Sequence, residues 1–286
     1  MELRVLRYFL AVAEEGNITW AAQLLRISQP TLSRQLKQLE EELGVTLFER
    51  GAHAIALTEE GRLLVERART IVALADKTRA DLRMSAGGLS GEVTVGCGEV
   101  RAMSFLTRRM AVFRSLHPQV RFVVSSTTSD IIQERLEQGL LDFGLLSEPV
   151  DVDEYEFLRT GMVERWCALV PDGHPLAARE ALSPVDLRDE TLLLPSRDPV
   201  RRVLVNWFGE DAGRMDVAGL CDLPSNGANM AANGLGVFLC LDLDIDYPGV
   251  RCVPLVPALE NGTVVVWKRH GVPSPAAAEF ARFLRG

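Results

Sequence analysis

The sequence predicts a multidomain chain: a small helical unit, one long helix, and a two-lobed α/β unit filling the rest. Three observations carry this. Residues 17–50 hold two short helical patterns with a tight break between them. Residues 58–84 keep a 4-3-4-3-4 apolar spacing. From Glu92 onward, short apolar runs alternate with helical stretches, the mark of βαβ units and a largely parallel sheet with right-handed crossovers.

Length and composition fit this division. The 286 residues leave room for two or three domains, and 47% hydrophobic with 24% charged residues describes a globular protein with sizeable cores. No apolar run approaches membrane-spanning length, and Met1-Glu2-Leu3-Arg4 does not open a signal peptide. A cytoplasmic protein with no membrane partner is expected. Five cysteines (97, 167, 221, 240, 252) are odd in number and form no CxxC pair, and four histidines are scattered. Neither a disulfide scaffold nor a structural metal is expected, and no cofactor. The net charge of −8 argues against generic nucleic-acid affinity. Residues 1–57 carry six Lys/Arg against seven Asp/Glu, so any basic surface there depends on placement.

Taken in order, residues 2–15 read as a first helix with Leu3, Leu6, Phe9, Leu10 and Ala13 on one face, ended by Gly16. Ile18, Ala21, Ala22 and Leu25 face inward from a second helix. Trp20 reads either as a lid on the domain surface or as a contact with the sugar-phosphate backbone. After a break at Arg26-Ile27, Ser28 caps a third helix, with Pro30 in its first turn. Leu32, Leu36, Leu39 and Leu43 are its buried stripe. Its other face shows Gln29, Thr31, Ser33, Arg34 and Lys37, with no carboxylate before Glu40. Amides, hydroxyls and cations near a helix N-terminus suit base edges and phosphates in the major groove. Residues 46–57 fit a short hairpin, or wing, around Gly51-Ala52-His53. Thr58 caps the long helix, with Glu59-Glu60 at its positive end. Leu64, Ala68, Ile71, Ala75, Thr78 and Leu82 form its seam, over roughly 40 Å at ~1.5 Å per residue. Small residues 85–91 make a hinge.

Beyond the hinge, strands are expected at 92–96, 120–125 and 141–146, with helices at 102–116 and 130–139. A second lobe opens near Val163 with a strand at 164–171 and the turn Asp172-Gly173-His174-Pro175-Leu176. Further strands are expected at 191–194 and 236–241, and helices at 199–209 and 224–234. The tail returns to the first lobe as a strand at 263–268 and a helix at 275–284.

Ala21-Ala22, Leu25, Ser28-Gln29-Pro30, Leu32-Ser33, Leu39-Glu40, Leu43-Gly44, Leu47-Phe48-Glu49-Arg50 and Leu57-Thr58-Glu59-Glu60-Gly61 together resemble the N-terminal domain of LysR-type transcriptional regulators. The His174-Pro175-Leu176 turn fits too, so the resemblance covers the whole chain, most strongly over 1–65. It implies a winged helix-turn-helix over 1–57, a linker and dimerisation helix over 58–84, a hinge at 85–91 and an effector domain over 92–286. The effector domain would have the fold of periplasmic solute-binding proteins, with lobe I at 92–161 plus 263–286 and lobe II at 162–262. The implied partners are double-stranded promoter DNA, a small-molecule effector, a homodimer or homotetramer, and RNA polymerase. DNA contacts would come from Gln29, Pro30, Thr31, Ser33, Arg34, Lys37 and Arg50. The wing, Arg-rich in the family, here offers only Arg50 and His53.

Ligands in such sheets bind beyond the carboxyl ends of strands, at helix N-termini. That selects residues 97–104, 127–130 and 195–202, and with them Cys97, Glu99, Val100, Thr128, Ser129, Ser196 and Arg197; Asn226 is a further second-lobe candidate or a helix cap. In the family, hydroxyl residues at the first two segments bind the effector. Thr128 and Ser129 match, but Glu99 stands about where a Ser or Thr is usual. A carboxylate there suits an amine or hydroxyl-rich ligand, unless Arg101 or Arg197 neutralises it. A cysteine-based redox sensor of the same architecture is the alternative reading, weakened by the sequence separation of the second-lobe cysteines. No Ser/His/Asp order, metal spacing or phosphate loop supports an enzyme.

Overall fold

A computed structural model describes residues 1–50, 55–82 and 88–286. The chain divides into two compact units, Met1–Arg83 and Met84–Gly286. The wing-tip residues 51–54, the last two residues of the expected long helix (83–84) and residues 85–87 of the expected hinge lie outside the described residues.

In the first unit, α1 (Leu3–Glu15), α2 (Ile18–Leu24) and α3 (Gln29–Leu43) enclose one core. The apolar stripes dictate it: Leu6, Phe9, Val12, Ala21, Leu32 and Leu39 are all at most 1% exposed. Local chemistry sets the boundaries. Asn17 accepts from the N–H of Thr19 (2.8 Å) and of Trp20 (3.1 Å) at the start of α2. Ser28 accepts from Thr31 N–H at 3.4 Å at the start of α3. Strands β1 (Phe48–Arg50) and β2 (Ile55–Leu57) pair antiparallel as the expected wing. Thr58 then accepts from Gly61 N–H at 2.9 Å, capping α4 (Glu59–Asp81), and its hydroxyl donates to the Thr46 carbonyl at 2.8 Å. Gly61 is needed where it stands, because a Cβ there would lie 2.2 Å from the Leu47 carbonyl oxygen.

Three expectations need correction here. Leu43 is 39% exposed, since α3 outlasts the small core it packs on. Trp20 is 66% exposed on α2, as is Leu24, so it is not the buried edge of a lid. The α4 seam is divided: Leu64 and Ala68 pack into the first unit's own core, whereas Ile71, Thr78 and Leu82 are exposed, as is Leu74 beside them.

In the second unit, β3 (Ser90–Cys97), α5 (Met103–Leu116), β4 (Gln119–Ser126), α6 (Ser129–Glu137) and β5 (Phe143–Ser147) form the βαβαβ of lobe I. Ser90 and Gly91, expected in the hinge, already belong to β3. The next strand, β6 (Tyr155–Pro171), is one continuous ribbon through both lobes, so the expected lobe boundary at 162 falls inside a strand. Lobe II adds α7 (Pro184–Leu187), β7 (Thr191–Leu194), α8 (Asp198–Phe208), β8 (Asp216–Leu220), α9 (Pro224–Ala232), β9 (Val237–Leu241) and β10 (Val250–Pro254). The chain returns through β11 (Glu260–Lys268) and closes with α10 (Pro275–Arg285). The strand order is β4-β3-β5-β11-β6-β9-β7-β8, with β10 paired to β6. β3 pairs parallel with β4 and β5, and β7 with β8 and β9; β11 and β6 run antiparallel to their neighbours.

The parallel strands thus present their carboxyl ends to the space between the lobes. Phe113, Phe143 and Phe280 pack edge-on in the lobe I core, with ring centroids 5.0–5.2 Å apart. His174 caps the turn after β6, its Nδ1 accepting from Leu176 N–H at 3.3 Å, in keeping with a structural role.

Gly227 on α9 faces the Phe238 ring of β9, and a Cβ there would sit 2.1 Å from a ring carbon. We expect Gly227→Ala to destabilise the second unit by about 1–3 kcal/mol through overpacking, read as a lower urea midpoint with unchanged slope.

Candidate DNA-reading face and effector cleft

On α3, Gln29, Pro30, Arg34 and Lys37 are exposed and Thr31 and Ser33 half-buried, so the six expected positions share the open side of the helix. Thr31 is held by its hydroxyl, 2.8 Å from that of Ser28. Arg34 has no ion pair or hydrogen bond among the described residues. Lys37 sits 3.6 Å from Glu41, one turn on. Glu40 turns away from this face: one carboxylate oxygen accepts from Leu47 N–H at 2.7 Å and Phe48 N–H at 3.3 Å, tying α3 to the wing strand. Arg50 ends β1.

The second unit contains a cleft of about 370 Å³ between its lobes. Lobe I contributes the loops after β3, β4 and β5. Lobe II contributes the segments after β7 and β8, and the floor comes from β6, β9 and β11. Of the expected residues, Glu99, Val100, Thr128, Ser129 and Arg197 line it. Three do not. Cys97 points into the lobe I core, 3% exposed, where burial raises its thiol pKa and a hydrogen bond to Ser126 partly offsets this. Ser196 is turned to Asp222, donating through its N–H at 3.1 Å and through its hydroxyl. Asn226 is exposed inside α9 rather than capping it, because the helix already starts at Pro224. Trp166, Glu148, Asp222, Phe238 and Asn261 also line the cleft. Sequence reading missed them because they arrive through strand pairings distant in sequence.

The electrostatics are specific. Arg197 spans the cleft, its Nε and Nη2 donating to the two Asp130 carboxylate oxygens at 2.9 and 2.6 Å. The Arg197 hydrogen bonds hold the Asp130 carboxyl below its ordinary pKa, with the guanidinium charge assisting. Arg101 reaches instead toward Asp244, 3.8 Å away. The Glu164 carboxylate is fully buried and accepts from Arg101 N–H at 3.0 Å and Ala102 N–H at 2.8 Å. The N-terminus of α5 is therefore already occupied by an anion of the protein itself. Thr128 opens α6 without a side-chain cap bond.

One expectation about thiols changes. Cys167 lies opposite Cys240 across β6 and β9, and Cys252 on β10 is registered opposite Leu169, two residues further along β6. Cysteines distant in sequence thus form a cluster in lobe II. Hydrogen bonding to Cys240 pushes the Cys167 thiol up in pKa, and hydrogen bonding to Cys167 followed by burial does the same for Cys252. An upward shift runs against the thiolate that a reactive cysteine needs.

Comparison with known proteins yields two family matches: "Bacterial regulatory helix-turn-helix protein, lysR family" over residues 3–62 and "LysR substrate binding domain" over residues 86–286. The chain is 34% identical to the HTH-type transcriptional regulator GbpR of Azospirillum brasilense over 197 residues, which is 68% of this chain and 57% of that one. It is 32% identical to the HTH-type transcriptional regulator AlsR of Bacillus subtilis over 215 residues, 74% and 71% of the two chains. Among solved structures, CbnR, a LysR family transcriptional regulator, superposes with a TM-score of 0.81 at 26% identity, covering 100% of this chain and 98% of that one.

The Arg197–Asp130 bridge carries a pH signature. Because the folded-state pKa of Asp130 is depressed, the bridge contributes fully above the ordinary Asp value and is lost as pH falls through the folded value. We expect the melting temperatures of wild type and Asp130→Asn to differ at pH 7 and the gap to narrow as the pH falls below the ordinary Asp value. A gap that stays constant across that range would contradict the assignment.

Proposed function

The chain belongs to the LysR family of transcriptional regulators, and we propose that it reads promoter DNA through the exposed face of α3. It is a DNA-binding regulator with an effector-binding domain. The observation that carries the reading of α3 is the combination of Gln29, Thr31, Ser33, Arg34 and Lys37 on one open face with the withdrawal of Glu40 from it. Arg34 serves as a base-edge or phosphate donor, Gln29 as an amide reader, and Thr31, Ser33 and Lys37 as backbone contacts. Pro30 sets the entry of the helix, and Arg50 adds a cation at the end of β1.

In the same reading, residues 1–57 are the DNA-binding domain. Helix α4 and the residue after it pair subunits through the apolar positions left open at Ile71, Leu74 and Leu82, giving a homodimer or homotetramer. The effector domain runs from β3 to the end of α10. A small molecule binds between the lobes against Glu99, Val100, Thr128, Ser129 and Arg197, and alters how the lobes sit across the Arg197–Asp130 bridge. Cys97, Ser196 and Asn226 support the cleft from behind or flank it. The protein acts as a regulator rather than an enzyme and works in the cytoplasm, where its DNA partner is. Among the described residues no helix is long and apolar enough to cross a membrane.

The test is Arg34→Ala in the full-length protein. We expect specific promoter retention to weaken by ~10- to 100-fold, equivalent to about 1–3 kcal/mol, with an unchanged melting temperature. Undiminished sequence-specific retention would remove α3 from the reading role.

A further inference from the structure

The cleft carries a charge pattern that selects its ligand. Three carboxylates line it, those of Glu99, Glu148 and Asp222, against the single guanidinium of Arg197. Each of these charges except one is already engaged. Arg197 is committed to Asp130 by two hydrogen bonds. Glu148 accepts from Arg159 Nε at 3.2 Å. Asp222 is taken by the hydroxyl and N–H of Ser196. Glu99 is exposed on the rim, and no hydrogen bond or cation meets it among the described residues. Arg101, the other candidate to neutralise it, is turned to Asp244.

The donors that would favour an anion are also largely spent. The first free N–H groups of α5 point to the buried Glu164 carboxylate. The N-termini of α6 and α8 carry Asp130 and Asp198 in their first turns, offsetting the positive ends of those helices. The body of the cleft is apolar, with Trp166, Phe238, Val200, Val203, Leu223 and Leu241 on its walls. The indole N–H of Trp166 is bonded to Asn261, so its ring is held in place beside the space. An aromatic ring face adds to the attraction for a cation.

We propose that the effector is an organic cation with an apolar body: a protonated amine or amidine that places its charged head on Glu99, with the Thr128 and Ser129 hydroxyls accepting from the same head, and its body against Trp166, Phe238 and Val203. This rests on the cleft being the effector site, as proposed above. An amphiphilic carboxylate of the same size would bring its charge to an unpaired carboxylate with no free cation nearby. It would have to displace Asp130 from Arg197 to find one, which costs a charge-assisted bidentate pair.

The experiment uses full-length protein and three probes with one aromatic body: 2-phenylethylamine, 2-phenylethanol and phenylacetate, each titrated to 10 mM at pH 7 in a thermal melt. The amine should raise the melting temperature in a saturable way, the alcohol less, and the carboxylate not at all. Glu99→Gln should weaken the amine by at least tenfold and leave the alcohol as it was. Stabilisation by phenylacetate equal to or above that of the amine overturns the proposal, as does no shift with the amine, or an amine shift that survives Glu99→Gln. Failure of the charge assignment is separable from failure of the cleft: a phenylacetate shift abolished by Thr128→Ala keeps the cleft as the effector site and rejects only the cation. Promoter retention by the unliganded wild type reports on the regulator reading independently of all three probes.

Discussion

The antiparallel pairing of β6 with β11 is the constraint on which the second unit depends. These two strands run side by side from Glu260–Arg165 to Lys268–Tyr155, and each belongs in part to both lobes. Everything else in either lobe is added to one side or the other of this ribbon. Lobe I attaches its parallel strands through β5 on β11, and lobe II attaches its own through β9 on β6. Both parallel sets therefore end facing the same space. The ribbon is also where the backbone departs from ideal pairing: Gly161 has φ 71°, and the register shifts between Gly262 and Val264. Irregularity at one level of an otherwise regular ladder is where a sheet bends most cheaply.

Much of this was legible in the sequence, and the reasons differ from one element to the next. Capped helices with strong apolar stripes read correctly within a residue or two, because Gly16, Ser28 and Thr58 fix their ends by local hydrogen bonding. Buried parallel strands such as β3, β5 and β9 read as apolar runs. The misses are strands with little burial. β8 is an edge strand with a glycine and mostly exposed residues, and β10 is a short edge ending in Pro254. The first half of β6, Tyr-Glu-Phe-Leu-Arg-Thr-Gly, alternates charge and ends on a glycine, so it carries no clear apolar run. Its pairing with β11 across about a hundred residues supplies what local pattern lacks.

The cleft was legible only where it follows a local rule. The loops after β3, β4 and β7 are marked by topology, and Glu99, Thr128 and Arg197 follow from them. Which charge meets which is another matter. Arg197 and Asp130 are 67 residues apart, Arg101 and Asp244 more than that, and nothing in either neighbourhood predicts the match. The same holds for Cys167 and Cys240, which sequence distance keeps apart and strand register places opposite each other.

Glu40 shows how far a charge count can mislead. The first 57 residues contain more acids than bases, yet a polyanion approaching α3 does not meet that sum. It meets only the charges left facing outward within a screening length of about 8 Å. A carboxylate spent on two backbone N–H groups at the wing has part of its field cancelled by those dipoles and lies behind the helix. In the proposed reading, the domain keeps an acidic total, which discourages indiscriminate clinging to any duplex, while Arg34 stands uncompensated on the open face of α3. Selectivity of this kind costs no additional basic residue; it comes from which acid the fold turns inward.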